Sequence, residues 1–317
     1  MEKITDFESK HFTLYQLANG IFTGIAKDGG WAISNAGLIN LGERIVVFDT
    51  FMTPQAAADL KQFSLDRLGR VPEIVFNSHF HNDHIWGNQV FAGEAQIISS
   101  AETRDLIKTA GAEEFEWYSA NSVKRLEALQ VEYQDASQEK QKELFLWIGY
   151  YQGLVESMPN LTVRLPDAAV KGQYSIFGTD LSAELYTFEG AHTGSDSVLY
   201  IPEAGIVFMS DLLFVKAHPY LPDGNPKKLL AVIKEISKLD AAIFVPGHGP
   251  VGTKADLLLM IDYIEGCMET AQGLVASGNA NEDFIKEMAV PEVFKAWQLP
   301  HFYQVNLQFL CDELLNE

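Results

Sequence analysis

Apolar and polar positions alternate in short runs along residues 12–50, with Gly and Asn between the runs, which predicts successive β-strands joined by tight turns. From Thr53 to Leu68 the apolar spacing becomes helical, with Thr53 as the expected N-cap and Pro54 at the first helical position. An apolar strand over 73–77 then leads into His79. The pattern predicts a β-meander followed by a helix and another strand.

The segment 112–157 is rich in Glu, Gln, Lys, Leu and aromatic residues at helical spacing, and it contains no Pro. We interpret it as a helical insertion. Strands are predicted near 160–164, 173–177 and 183–188, followed by the runs SVLYIP and GIVFMSD, a helix over 227–239 and the strand AAIFVP. From residue 254 the chain is predicted to be mostly helical, with C-terminal helices at about 276–317. We treat residues 1–317 as one domain.

A weak internal repeat connects two parts of this pattern. RIVVFDT, a helix and EIVFNSH are echoed by GIVFMSD, a second helix and AAIFVPGH. Each half is a strand that reaches an Asp, a helix, and a strand that reaches a His. Two related β-α-β units with strand ends at one shared site explain this echo, and chance similarity of apolar strands is the alternative.

Composition restricts the function. Hydrophobic residues make up 47% of the chain and charged residues 21%, which is typical of a folded globular protein. The formal net charge of -20, without a long basic stretch, opposes binding to nucleic acid or to anionic membranes, so we expect a small-molecule substrate. Cys267 and Cys311 form no C-x-x-C unit. The sequence MEKITDFESK lacks the apolar core of a signal peptide, and we expect a cytoplasmic protein.

Histidine and aspartate gather in the short motifs H-F-H-N-D-H, A-H-T-G-S-D and P-G-H-G-P, each next to an apolar strand. The first motif offers three imidazoles and a carboxylate within six residues, more than one tetrahedral ion usually takes from so short a stretch. We expect it to serve two neighbouring ions, with His79 and His81 on one and Asp83 and His84 on the other.

The remaining candidate ligands lie downstream, on Gly-containing turns and at the end of an apolar strand. The full candidate set is His79, His81, Asp83, His84, His192, Asp211 and His248. A set of imidazoles and carboxylates without thiolate suits zinc and also accepts iron, manganese or cobalt. The expected cofactors are two divalent metal ions, with Zn²⁺ first and Mn²⁺ or iron as alternatives.

The H-x-H-x-D-H form of HFHNDH, followed in order by His192, Asp211 and His248, resembles the metallo-β-lactamase superfamily over residues 12–265. The resemblance implies an α+β protein with an αββα sandwich, two β-sheets flanked by helices, and metals at one edge. It assigns ligands to two metals and a bridge between them. These are His79, His81 and His192 for the first metal, Asp83, His84 and His248 for the second, and Asp211 for the bridge.

Asp at the bridging position resembles glyoxalase-II-like thioesterases and lactonases, whereas many true β-lactamases of the superfamily have Cys or Ser there. We therefore hypothesise a binuclear metal-dependent hydrolase in which a metal-bridging hydroxide attacks the carbonyl of an ester, thioester, lactone or related substrate. Asp83 and Asp211 are the candidate catalytic residues. Asp83 would orient the hydroxide or move its proton.

Further candidates surround the motifs. Asp49, which ends the strand RIVVFDT, is expected to hydrogen-bond a ligating imidazole or the motif loop, or to serve only in a turn. His218 and Tyr220 are candidate pocket residues, with a structural role as the alternative. Trp117, Tyr118 and the other aromatic residues of the insertion could form a lid over the metals and an apolar wall for substrate, or simply pack in a core. We interpret His11 and His301, which lie far from the motifs, as incidental.

Other functions stay open at this point. A β-lactam hydrolase, a mononuclear iron oxygenase, and a phosphodiesterase or nuclease can be built on a related scaffold, and so can a protein that has lost catalysis. The complete second ligand set opposes a single iron, and the acidic composition opposes a nuclease. The sequence leaves open the substrate, the metal and the oligomeric state, for which a homodimer is one option.

Overall fold

The strands form two sheets in the computed structural model, which describes residues 1–316. The strands of the first sheet lie in chain order, β1 to β4 antiparallel to their neighbours and β5 to β8 parallel. Their bounds are β1 (Glu2–Lys3), β2 (Phe12–Ala18), β3 (Ile21–Ala26), β4 (Ala36–Asn40), β5 (Ile45–Phe48), β6 (Ile74–Phe76), β7 (Gln96–Ser100) and β8 (Ala168–Val170). The predicted meander is thus confirmed.

The second sheet has the order β13, β12, β11, β10, β9, in which only the β12 and β13 pair is parallel within the described residues. Its strands are β9 (Gln173–Phe177), β10 (Ser182–Glu189), β11 (Ser195–Ile201), β12 (Ile206–Phe214) and β13 (Ile243–His248). Every residue of β11 and β12 is buried, so these two strands form the centre of the fold.

Helices cover the outer faces and build two additions. Their bounds are α1 (Pro54–Leu68), α2 (Asn82–Ile85), α3 (Ala101–Lys108), α4 (Ala110–Asp135), α5 (Gln138–Ser157), α6 (Pro226–Ile236), α7 (Lys254–Ser277), α8 (Glu282–Lys286) and α9 (His301–Asn316). Short 3₁₀ helices occupy Trp86–Val90, Met158–Asn160, Pro202–Ala204 and Glu292–Phe294. Of the helices in residues 1–316, none has the length and apolarity needed to span a bilayer.

Three apolar layers hold the sandwich together. Phe63 of α1 packs against the outer face of the first sheet, and Phe48 and Phe208 lie between the sheets with ring centroids 6.1 Å apart. Ile233 of α6 and Ile264 of α7 cover the outer face of the second sheet. Burial of each such side chain contributes about 1.5–3 kcal/mol. The order helix, sheet, sheet, helix confirms the predicted αββα sandwich.

The N-terminus of α1 follows from its sequence. The Thr53 hydroxyl accepts a hydrogen bond from the Ala56 N–H at 3.3 Å, and Pro54 occupies the first turn, where a missing N–H costs nothing. Gly69 ends the helix in the left-handed region with φ 71°. The helix therefore begins where the sequence predicted.

The internal repeat corresponds to two β-α-β units. β5, α1 and β6 form the first, β12, α6 and β13 form the second, and the two strands of each unit are parallel. Since the carboxyl ends of parallel strands meet at one edge, Asp49 and His79 come together in the first unit, and Asp211 and His248 in the second. This topology brings residues that are distant in sequence to a single edge.

The predicted helical insertion is an antiparallel hairpin of α4 and α5, and its last helix packs unusually closely on the loop near Gly29. A Cβ added at Gly149 would lie 2.6 Å from the Cα of Gly29, and one at Gly153 would lie 3.0 Å from the Cβ of Trp31. These small residues let the helix backbone approach the loop. The predicted C-terminal helices are present as α8 and α9.

The prediction of a strand near 160–164 is wrong. Pro159 lies in the 3₁₀ helix Met158–Asn160, and residues 161–167 have no regular structure. Side chains satisfy their backbone groups, since Asn88 Nδ2 donates to the Arg164 carbonyl at 3.1 Å and Gln89 Oε1 accepts from the Thr162 N–H. The apolar residues of this segment pack on the insertion instead of pairing with a strand.

Candidate metal centre

The seven candidate ligands meet at the shared strand edge. Their ligand atoms fall into two groups, and within each group all the atoms lie within 4.8 Å of one another. One group is His79, His81, His192 and Asp211, and the other is Asp83, His84 and His248. The same division was expected from the sequence. The seven side chains come from a tight loop after β6, a turn between β10 and β11, β12, and the end of β13.

The first group is arranged around His79. Its Nδ1 lies 2.9 Å from Ser78 Oγ, while its Nε2 is buried and has no hydrogen-bond partner within the described part of the chain. His81 Nδ1 and His192 Nε2 are 3.3 Å apart. Ring nitrogens of three histidines, together with a carboxylate oxygen of Asp211, thus lie close enough to hold one ion.

The second group adjoins the first through Asp211. Asp83 Oδ2 lies 3.3 Å from His248 Nε2 and 3.6 Å from His84 Nε2. Asp211 Oδ1 is 3.1 Å from His84 Nε2, and its Oδ2 is 3.3 Å from His192 Nε2 and 3.4 Å from His248 Nε2. The carboxylate of Asp211 thus contacts both groups, which is the geometry of a bridging ligand.

Electrostatics favours the metal-binding forms of His79, His192 and Asp211, whereas nearby carboxylates outweigh burial and raise the pKa of His81, His84 and His248. Burial lowers the pKa of His79 well below its ordinary value and lowers the pKa of His192 to about 3. Burial opposes the charge on Asp211, but His248 and His84 outweigh it and hold the pKa of this carboxyl well below its usual range. Neutral imidazoles and an ionised carboxylate are the states that ligate a cation.

The residues present fit a pair of divalent ions. A buried ring nitrogen without a partner, such as His79 Nε2, is costly unless something binds it. Imidazoles and carboxylates without thiolate match the preferences of Zn²⁺, and also those of Mn²⁺ and iron. The types of donor atom present are therefore those expected of a metal centre.

Asp49 supports the centre from behind, in the position expected for it. Its Oδ2 lies 2.8 Å from His84 Nδ1 and accepts hydrogen bonds from Ser78 Oγ at 2.8 Å and Ser210 Oγ at 2.9 Å, while its Oδ1 accepts from the Ser78 N–H. Fixing Nδ1 leaves Nε2 of His84 to face Asp83 and Asp211.

Gly247 makes room for Asp211. A Cβ at Gly247 would lie 1.8 Å from Asp211 Oδ1, so only glycine fits beside this carboxylate. The P-G-H-G-P motif thus has a packing role in addition to its histidine. The sequence showed the glycine, but not which side chain approaches it.

A cavity of about 920 Å³ opens over the metal centre. The centre forms its floor, the segment 25–29 forms one side, and the insertion helices α4 and α5 form another. Residues 296–302, just before and within the first turn of α9, complete the wall. Its size and largely apolar lining suit a small organic molecule.

The structure separates the candidate pocket residues. Tyr118 and Tyr220 line the cavity, whereas Trp117 lies outside it, 43% exposed, with the Arg125 guanidinium 5.7 Å from its ring centroid. The expectation of an aromatic wall from the insertion therefore fits Tyr118, together with Trp147 and Tyr150, but not Trp117. His218 is fully buried beside the Tyr263 hydroxyl at 3.0 Å, so it belongs to the core and not to the cavity wall, which corrects the expectation that it lines the pocket.

The two histidines interpreted as incidental also have partners. His11 packs against Trp31, with ring centroids 5.1 Å apart. His301 Nδ1 lies 2.7 Å from Glu143 Oε1, which joins α9 to the insertion helix α5 beside the cavity. His301 is thus a structural contact near the site, which its distance from the motifs in sequence did not indicate.

Sequence reasoning missed other residues at the site. Asp223 Oδ2 lies 2.9 Å from His81 Nε2, and this hydrogen bond lowers the pKa of Asp223. Burial raises the pKa of Glu114, on the cavity wall, to about 7. Asp223 sits in the turn L-P-D-G-N and Glu114 within a helix full of acids, so neither has a local signal that separates it from surface residues.

A sequence model of the metallo-β-lactamase superfamily matches residues 29–248, most of the chain and all seven ligand candidates. The chain belongs to the metallo-β-lactamase superfamily. Among solved structures it is similar to a metallo-beta-lactamase from Pontibacter korlensis, with TM-score 0.58 and 16% identity over 80% of this chain and 99% of that one. Another similar structure is a metallo beta lactamase from Erythrobacter litoralis with beta mercaptoethanol in its active site. It has TM-score 0.58 and 14% identity, and the match covers 84% of this chain and all of that one.

At these identities the solved structures establish the shared fold alone. The superfamily consists largely of metal-dependent hydrolases, and the candidate centre of this chain lies within the residues that its sequence model matches. The match ends at His248, so α7, α8 and α9 lie beyond it. The match begins at Gly29, so β1, β2 and β3 also lie outside it. The family model therefore covers the metal edge and most of the sandwich, but not the part of the cavity wall built by residues 296–302.

Proposed function

We propose that the chain is a binuclear metal-dependent hydrolase that acts on an ester, thioester, lactone or related carbonyl substrate. The observation that carries the proposal is the contact of one carboxylate, that of Asp211, with both ligand groups on the floor of a single cavity. Zn²⁺ is the proposed metal, with Mn²⁺ or iron as alternatives.

The ions would be held by the two groups described above, with Asp211 between them. When bound, two divalent ions lower the pKa of a water molecule from about 15.7 toward about 7 and polarise a carbonyl oxygen. Asp83 and Asp211 border this place, so their carboxylates would orient the attacking water and accept its proton. Asp49 and Asp223 fix two imidazoles, which keeps the donor atoms in place during turnover.

The site favours carbonyl chemistry over the alternatives. A phosphodiester or nucleic acid would bring negative charge to a cavity lined by Glu114 and Asp223, in a protein with net charge -20. The complete second ligand group opposes a mononuclear iron oxygenase. An aspartate at the bridge favours ester, thioester and lactone substrates over β-lactams.

The test is elemental analysis of the purified protein together with hydrolysis of a panel of chromogenic lactones, thioesters, phosphodiesters and β-lactams. We expect about two equivalents of zinc or manganese per chain, and carbonyl hydrolysis that a chelator removes and added metal restores. One iron per chain without hydrolysis, or a preference for phosphodiesters, would contradict the proposal.

A further inference from the structure

Five aromatic side chains form a continuous wall of the cavity, which we name the aromatic wall. Along this wall, the centroids of neighbouring rings are 5.3–6.3 Å apart, and the planes of neighbouring rings are inclined to each other by 57–79°. In order, the wall comprises Tyr118, Tyr150, Trp147, Phe302 and Tyr220, all of which line the cavity. Rings tilted to one another present faces in several directions to one occupant.

Glu114 stands beside this wall. It precedes Tyr118 by one helical turn on α4, and both line the cavity. Its Oε2 is buried and has no hydrogen-bond partner among the described residues, and its carboxyl accepts only from the Asn82 backbone N–H. A carboxylate in this position lacks the partner that its burial calls for.

The cations that line the cavity do not supply this partner. Lys27 Nζ donates to the Ser9 carbonyl at 2.6 Å, and Lys216 is exposed. The cavity lining formed by residues 1–316 contains no arginine. Apart from the metal ligands, the lining has three carboxyl groups and two lysines. Asp28 accepts from Gln298 Nε2 and Asp223 contacts His81 Nε2, so Glu114 is the carboxyl group of the lining that no side chain of the described residues engages.

We propose that Glu114 and the aromatic wall form a subsite for a positively charged amine or quaternary ammonium group of the substrate. The proposal rests on the proposed function, because the metal floor beneath is where the carbonyl of the same substrate would react. A cation over aromatic faces is attracted by their negative ring quadrupoles, and a desolvated carboxylate strengthens that attraction. The same surroundings repel a substrate carboxylate or phosphate.

Binding can be measured without turnover. The probes are choline and its uncharged isostere 3,3-dimethylbutan-1-ol, titrated into the metal-loaded protein by calorimetry at about pH 8, where Glu114 is ionised. We expect choline to bind at least about tenfold more tightly than the neutral alcohol. Equal affinity of the two probes, or tighter binding of the neutral one, would overturn the subsite.

Matched variants assign the binding to the residues named. Glu114→Gln should bring the two probes to within about twofold of each other, whereas Glu113→Gln, an exposed position on the same helix, should keep the preference. Trp147→Leu should weaken choline binding, and Trp117→Leu, outside the cavity, should not. A preference that survives Glu114→Gln, or that Trp117→Leu removes equally, would contradict this placement.

Kinetics separate the subsite from the reaction. Acetylthiocholine and its uncharged isostere, the 3,3-dimethylbutyl thioester of acetate, share the same thioester bond. We expect the ratio of their kcat/KM values to favour the cation about tenfold and to fall toward one in Glu114→Gln. If neither thioester nor any other carbonyl substrate is hydrolysed while choline still binds through Glu114, the subsite stands and the proposed hydrolase is wrong. If the neutral thioester is cleaved as fast as acetylthiocholine, the proposed hydrolase is supported and the proposed subsite is wrong.

Discussion

The metal edge and the aromatic wall both border one cavity but are built differently. The ligands at the edge come from strand ends of the two sheets, and most are almost wholly buried, with His79 1%, His84 0% and Asp211 4% exposed. The wall comes mainly from the insertion and from residues near the start of α9. These two additions meet through contacts such as that of His301 Nδ1 with Glu143 Oε1 at 2.7 Å.

Because of this difference, we expect the metal edge to carry out the reaction and the aromatic wall to select the substrate. Ligands on strand ends inherit the rigidity of the sandwich, which a metal centre requires. Helices added to the scaffold can change the shape of the cavity without moving the ligands, so they suit the selection of a substrate. We therefore expect substitutions at the edge to affect metal content and turnover, and substitutions in the wall to affect substrate affinity.

The largest expected effect is that of Asp211→Asn at the edge. The variant keeps the size of the side chain but removes the charge that contacts both groups, so we expect loss of at least one metal equivalent and a fall in kcat/KM of about 10³-fold or more. Elemental analysis and kinetics on the same sample measure both. Asp240→Asn, at an exposed turn, is the control and should change neither.

Should Asp211→Asn retain two metals and normal turnover, the bridge would be wrongly assigned.

Asp49→Asn tests the contact that holds the imidazole of His84 at the metal edge. Asp49 has φ 60°, and Asn tolerates this left-handed conformation, so the variant changes the charge facing His84 with little backbone strain. We expect metal affinity or activity to fall by about 10–100-fold. Competition with a chromogenic chelator measures the affinity. A change smaller than twofold would show that the imidazole is held without this carboxylate.

Much of the edge could be predicted from sequence because its residues are close together in the chain or end apolar strands. The H-x-H-x-D-H loop carries four candidate ligands within six residues, and the repeated strand, helix, strand pattern indicated where Asp49, Asp211 and His248 would meet. Local spacing and strand topology together are enough to place such a set.

An aromatic wall from the insertion could be expected, but most of its members could not be predicted, because its contacts join distant segments that have ordinary sequences. Tyr118, Trp147 and Phe302 have the spacing of any amphipathic helix, and only packing decides which aromatic faces the cavity. Trp117 and Tyr118 are neighbours in sequence, yet one is at the surface and the other lines the site. Asp223 reaches His81 across 142 residues.

Gly149→Ala should disturb the wall while leaving the edge intact. The added Cβ would meet backbone atoms of Gly29 at 2.6–2.8 Å, so α5 must shift away from the loop that borders the cavity. We expect a destabilisation of about 1–3 kcal/mol and a raised KM with two metals retained. Gly266→Ala on α7 is the control, because its Cβ meets nothing within 4 Å.

That control should stabilise the protein by up to about 1 kcal/mol through its higher helix propensity. Denaturant unfolding of both variants gives the comparison. Equal changes in the two would show that the close approach of α5 to the loop contributes nothing.

The smallest expected effect is that of Glu143→Gln, where the insertion meets α9. The hydrogen bond with His301 lowers the pKa of Glu143 to about 2, below its ordinary value of 4.5. A carboxyl group whose pKa is lowered by folding stabilises the protein at pH values above its pKa in the unfolded state. This stabilisation is lost as the pH falls toward its pKa in the folded state. We expect Glu143→Gln to cost about 1 kcal/mol at neutral pH and progressively less below about pH 4.5. Urea unfolding across this range measures it, with the exposed Glu127→Gln as control. If the loss of stability in Glu143→Gln does not change with pH, packing and not the contact of Glu143 with His301 joins the insertion to α9.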